Sequence, residues 1–132
     1  MCWIERWPSQ SCSARVSCPL YAASLAPSKG RLIRCTVLGS TSGDIALDKA
    51  QTSARFPFPT RGVQELAYGK DLKGGMVPGL ALVPGIVAFA GGLPIMTEGK
   101  VHIGGIGVSG GTSDQDETCA QSGLDAVKDS LK

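Results

Sequence analysis

The sequence predicts an α/β fold of the α+β kind, with a central antiparallel sheet covered by helices. Three observations predict it. Residues 86–108 hold two apolar runs that carry glycines and are joined by a turn, the pattern of paired strands. Residues 44–56 repeat small side chains at helical spacing. Residues 112–131 open on a capping signature and continue as an apolar stripe of the same period.

Taken in order, residues 1–43 are rich in Ser, Arg and Cys and show little periodicity. They read as a divergent segment, disordered or targeting, ahead of a domain at 44–132. Gly30-Arg31-Leu32-Ile33 fits the remnant of a strand, and no earlier helix or strand is recognisable. The cluster Ser40-Thr41-Ser42-Gly43 offers N-caps, which places Asp44 and Asp48 where a helix dipole favours negative charge. Ile45, Ala46, Ala50, Ser53 and Ala54 then form a small-residue face through Phe56, and Pro57 and Pro59 stop the helix. A helical turn at Arg61–Ala67 precedes a loop punctuated by Gly69, Gly74, Gly75, Pro78 and Gly79.

Ile86–Ala90 reads as a strand, Gly91-Gly92 as a bulge or bend, and Leu93–Met96 as its continuation. Thr97-Glu98-Gly99-Lys100 is a hairpin turn, and Val101–Val108 returns. Strict alternation puts Val101 and Ile103 on one face and His102, Ile106 and Val108 on the other, so both faces are covered. Thr112 with Gln115 forms a capping box, Asp114, Asp116 and Glu117 fill an acidic first turn, and Ala120, Leu124, Val127 and Leu131 make the stripe.

Composition narrows the function classes. Residues 1–43 carry a net charge of +4 and residues 44–132 one of −2, so the patterned part lacks the basic stripe of a nucleic-acid binder. The five cysteines form no CxxC pair and the one histidine is His102, which argues against structural zinc and for free thiols in a reducing compartment. No apolar run approaches the ~20 residues of a membrane span. Glu5, Arg6 and Pro8 interrupt any secretory h-region, which leaves a cytoplasmic location, or import into an organelle with residues 1–29 as a transit segment.

The strings DIALDKAQTSARF (44–56), VAFAGGLPI (87–95) and HIGGIGVSGGTSDQDETCAQSGL (102–124) resemble, in order and spacing, the family of GlcG, HbpS and the PduO C-terminal domain. The resemblance covers residues 44–132, and the N-terminal third departs from it. It implies a profilin-like α/β/α sandwich, here incomplete at its N-terminal edge, and dimers or higher assemblies. It further implies a non-enzymatic protein that binds haem or a related tetrapyrrole. The alternatives it leaves open are an accessory protein of glycolate or small hydroxy-acid metabolism and a structural oligomerising module.

Candidate ligand contacts are Lys49, Thr52, Arg55, Gly91, Gly92 and His102. His102, the single imidazole, is the candidate haem ligand, although the resemblance itself carries no ligand onto that position. Thr52 and Arg55 suit a carboxylate such as a haem propionate. Asp48 and Lys49 could place a charge pair beside a ligand pocket, but structural salt-bridging is the preferred reading, since neighbours in a helix face different ways and one of the two points at solvent. Gly91-Gly92 and Gly104-Gly105-Ile106-Gly107 lack the Lys-Ser/Thr of a P-loop and read as places of close approach by a helix or a ligand. Ser109 lies in a GxSxG string, but no histidine follows His102, so no catalytic residue is assigned. A homo-oligomer is expected because an aromatic-poor core of this size gains by burying more surface.

Overall fold

The computed structural model describes residues 21–26, 31–35 and 40–131. In chain order these form Tyr21–Ala26 (β1), Arg31–Cys35 (β2), Ser40–Arg55 (α1), Thr60–Tyr68 (α2), Gly92–Met96 (β3), His102–Ser109 (β4) and Ser113–Val127 (α3). Two 3₁₀ turns, Pro78–Leu82 and Lys128–Ser130, complete the set. Residues 1–20, where the sequence reading begins its targeting segment, lie outside the described residues.

The sheet is antiparallel throughout, in the order β2-β1-β4-β3. The central position of β4 follows from its composition. Glycines at 105 and 107 face α1, and a Cβ at Gly107 would sit on the Ala46 carbonyl oxygen and 2.5 Å from the Ala50 amide nitrogen. Ala46 and Ala50 return the favour from the helix, each essentially without exposed surface. Helix and strand backbones therefore approach more closely than larger side chains allow. On the opposite face Ile106 and Val108 pack with Leu93, Cys119 and Ala120, with Ile95 and Leu124 at the margin. Layers of helix, sheet and helix result, as expected of a sandwich.

Most predicted boundaries hold within a few residues. Pro57 ends α1, and the capping box of α3 is formed in full, with Thr112 accepting from the Gln115 amide and Gln115 from the Thr112 amide. The start of α1 differs. Ser40–Gly43, read as caps, are themselves helical, which moves Asp44 out of the first turn. A glycine inside a helix costs about 1 kcal/mol, and here packing offsets it because Gly43 is buried.

Four further expectations are corrected. Residues 86–90 are not a strand. The Val87 amide, which a sheet would use, donates instead to the Thr52 hydroxyl of α1 at 2.9 Å, so the segment lies along the helix. The faces of β4 are also not those of strict alternation. The β3–β4 register shifts between Ile95 and Met96, whose partners are Gly104 and His102. The extra residue turns His102 toward α1, the side of Gly105 and Gly107 and away from Ile106 and Val108. Finally, Tyr21–Ala26 is a strand that the sequence reading did not place. It pairs with β4 from Tyr21↔Ser109 to Leu25↔Gly105. Cys119, read as a free thiol, is disulfide-bonded.

Candidate functional site

Two opposite charges lie inside the protein where helical spacing puts small or apolar residues. Lys49 shares a face with Ala46, Ala50 and Ser53, and Asp116 shares one with Cys119, Ala120 and Gly123. Their side chains are 1% and 3% exposed and meet at 2.8 Å. Lys49 Nζ has three partners. One donates to Asp116 Oδ2, a second to the Val108 carbonyl at 2.9 Å, and Phe89 lays its ring 4.9 Å away. The second Asp116 oxygen accepts from the Gly111 amide at 2.9 Å. Burial pushes the Lys49 ammonium below its ordinary range, and the bond to Asp116 and its charge pull partly back.

The glycine pair at the head of β3 makes this pairing sterically feasible. A Cβ on Gly91 would stand 2.5 Å from Lys49 Nζ, and its φ of +121° is one that L side chains rarely adopt. Gly92 abuts the Lys49 carbonyl and Thr60, and its amide donates to the Thr60 hydroxyl at 2.9 Å. Thr52 plays for residue 87 the part Thr60 plays for residue 92. Its hydroxyl accepts from Val87 N–H and donates to the Asp48 carbonyl at 2.8 Å. Two buried threonines on successive helices thus staple the segment that runs into β3.

His102 and Arg55 lie apart from the ion pair, each toward the C-terminal end of α1. The Ser53 carbonyl would ordinarily accept from residue 57, but Pro57 has no N–H. His102 Nε2 lies 2.9 Å from that oxygen and supplies the missing donor, which fixes the proton on Nε2 and leaves Nδ1 as the nitrogen outside this bond. Arg55 is exposed, and its guanidinium stands beside Gly85, whose φ is +74° and where a Cβ would lie 3.6 Å from it. The six residues proposed from sequence therefore divide. Lys49, Thr52, Gly91 and Gly92 meet around the buried ion pair, whereas His102 lies on the Ser53 carbonyl and Arg55 beside Gly85, both toward the end of α1.

Asp116 was missed as a site residue because an acid early in a helix is explained by the dipole alone. The signal was its place on the buried face of α3, opposite in sign to a lysine on the buried face of α1. Its neighbours Asp114 and Glu117 are held from outside by Arg61 of α2, which bonds both carboxylates at the surface. Among the described residues, no group of three or more His, Cys, Asp or Glu side chains is placed to hold a metal ion.

The model of the family described as haem degrading protein HbpS-like matches residues 31–125. An uncharacterised 15.0 kDa protein from the dhaT–dhaS intergenic region of Citrobacter freundii is 40% identical over 91 residues, 67% of this chain and 61% of that protein. The chain thus spans about three fifths of the length of that curated relative. The crystal structure of Klebsiella pneumoniae protein ORFY is similar at a TM-score of 0.72 and 27% identity, covering 88% of this chain and 79% of its own. HbpS follows at 0.66 and 29%, covering 83% and 74%. PduOC, solved as a haem complex, shares the fold at 0.70 and 24%, covering 93% and 84%.

Proposed function

The chain belongs to the HbpS-like family, and from that premise we propose that it binds a small ligand, haem or a related tetrapyrrole, without turning it over. The observation that carries the reading is the donor set at the end of α1. An imidazole whose Nδ1 lies outside the bond to the Ser53 carbonyl and an exposed guanidinium, that of Arg55, both belong to that end of the helix. Iron takes imidazole nitrogen, and guanidinium suits a propionate. These two groups fit the ligand class, and His102 and Arg55 are the residues we assign to it. Lys49, Thr52, Gly91 and Gly92 are assigned to the framework, because their bonds and contacts are with the protein itself.

Titration of the purified chain with haemin tests the proposal. A saturable Soret shift with Kd below ~10 µM, or about −7 kcal/mol, is expected. No saturable change in that range refutes it. His102→Ala is expected to move the Soret maximum, and Arg55→Ala to weaken binding without moving it.

The description of the family as haem degrading favours a second reading, in which the bound haem is consumed. Loaded protein incubated with a reductant in air separates the two. A stable Soret band supports binding, and a decaying band with release of iron supports degradation. In either reading the chain works as a homo-oligomer.

A further inference from the structure

Among the described lysines only Lys49 is buried, and the haem reading makes no use of its amine. Two sides of that amine are held by fixed protein groups. Asp116 Oδ2 accepts from it at 2.8 Å, with the other carboxylate oxygen bonded to the Gly111 amide, and the Val108 carbonyl accepts at 2.9 Å. The third side is different. There the Phe89 ring lies 4.9 Å from Nζ, yet Phe89 is 40% exposed. One ring touches the buried charge and solvent at once, so it is what parts them on that side.

Phe89 can turn while the fold stays still. Residues 86–90 belong to no strand, and the buried Val87 and Ala90 anchor them on either side of Phe89. The Val87 amide is tied to Thr52 besides. A partly exposed ring between anchored neighbours swings about its own side-chain bonds, a fast motion that needs no backbone change. A second observation points to a bound group. Ser109 follows Val108 directly and is 6% exposed, and its hydroxyl has no hydrogen-bond partner among the described residues. Buried hydroxyls nearly always have one, and this orphan stands one residue from the carbonyl that Lys49 holds.

We propose that Lys49 is a carbonyl-binding lysine, which forms a Schiff base behind Phe89 with a small aldehyde or ketone and uses Asp116 as its proton acceptor. Lys49 Nζ passes one proton to Asp116 Oδ2. The freed electron pair forms the bond to the carbonyl carbon, and the carbonyl π pair moves to oxygen, which takes a proton from the nitrogen. Asp116 returns its proton to the resulting hydroxyl, which leaves as water while the nitrogen pair closes the C=N bond. The iminium keeps its charge beside Asp116, and no oxidant or reductant enters. Burial eases the first step, because it makes the ammonium readier to lose its proton. Asp116 repels a carboxylate, so the reacting end of the ligand is uncharged. The place the ring vacates sets the size. With the ring closed Lys49 belongs to the framework, and the inference stands apart from the haem reading.

Acetaldehyde with sodium cyanoborohydride, added to the folded, haem-free chain, turns an imine into a stable ethylamine that peptide mass spectrometry locates. Lys49 is expected to label about tenfold faster than the exposed Lys70, Lys73 and Lys100, and its rate to level off at a lower pH than theirs. Phe89→Ala is expected to raise the rate at Lys49 alone, and Asp116→Asn to lower it about tenfold. If Asp116→Asn does not fold, the pH profile of the wild type makes the same comparison. Labelling of Lys49 no faster than that of the exposed lysines, in both the wild type and Phe89→Ala, overturns the proposal and leaves the pair purely structural. Fast labelling that Phe89→Ala leaves unchanged overturns it too, since unfolding rather than the ring then controls access. Neither result touches the haemin titration.

Discussion

Asp116→Ala takes the counter-ion from a lysine whose side chain is 1% exposed. Lys49 would keep the Val108 carbonyl and the face of Phe89, and lose its only charge partner among the described residues. Removing one member of a buried pair typically costs 3–5 kcal/mol, because the remaining charge stays buried. Two structural details place the expected value within that range. The Gly111 amide, which also loses its acceptor, belongs to an exposed residue and is taken over by water, so it adds little. Lys49 is already held below its ordinary pKa by burial, so shedding its proton limits the loss. The expectation is therefore about 3 kcal/mol, a large part of the 5–15 kcal/mol that holds a domain together. Urea unfolding followed by circular dichroism measures it. Replacing both charges, Lys49→Met with Asp116→Leu, is expected to recover about 2 kcal/mol relative to the sum of the single changes. A single Asp116→Ala costing under about 1 kcal/mol, or strictly additive variants, would refute the account of a coupled, desolvated pair.

Gly107→Ala places a methyl against the Ala46 carbonyl and the Ala50 amide, both backbone, so helix and sheet must separate. A loss of at least about 1–3 kcal/mol is expected by thermal melting, and a wild-type melting temperature would show that the helix seat is looser than described. Thr52→Val keeps the volume but leaves the Val87 N–H without its acceptor, at a cost of about 1–3 kcal/mol. Hydrogen exchange should then show faster exchange at Val87, and unchanged protection there would rule out the staple. The pH dependence has a definite sign. Because the folded chain holds the Lys49 proton less tightly than the unfolded chain, this group's contribution to stability rises with pH toward the 10.5 of a free lysine. Wild-type stability relative to the Lys49→Met/Asp116→Leu variant should accordingly increase between pH 8 and 10, and a decrease over that interval contradicts the desolvation argument.

Much of the fold was legible because its signals are local. Pro57 cannot donate to Ser53, so α1 had to end there. Thr112 and Gln115 cap each other across three residues, so the start of α3 was readable from that spacing. The alternation of Gly105 and Gly107 opposite a stripe of Ala46, Ala50 and Ser53 announced that a helix would lie against a strand. Local signals also failed in an instructive place. Ile86–Ala90 has the composition of a strand, and a hydroxyl at position 52 captured its amide before a sheet could.

The sequence by itself determined which helical residues turn inward, since period 3.6 assigns a face. It even put a lysine and an aspartate of opposite sign on the small-residue faces of two helices. Which inward groups meet was decided only by tertiary structure. Lys49 and Asp116 stand 67 positions apart and find each other past Gly91 at the head of β3. His102 changed faces because of one extra residue in the β3–β4 register. Strand β1, with no readable pattern of its own, joined the sheet beside β4. Periodicity names a surface and leaves its partner open, because partner choice depends on the geometry of distant segments packed together.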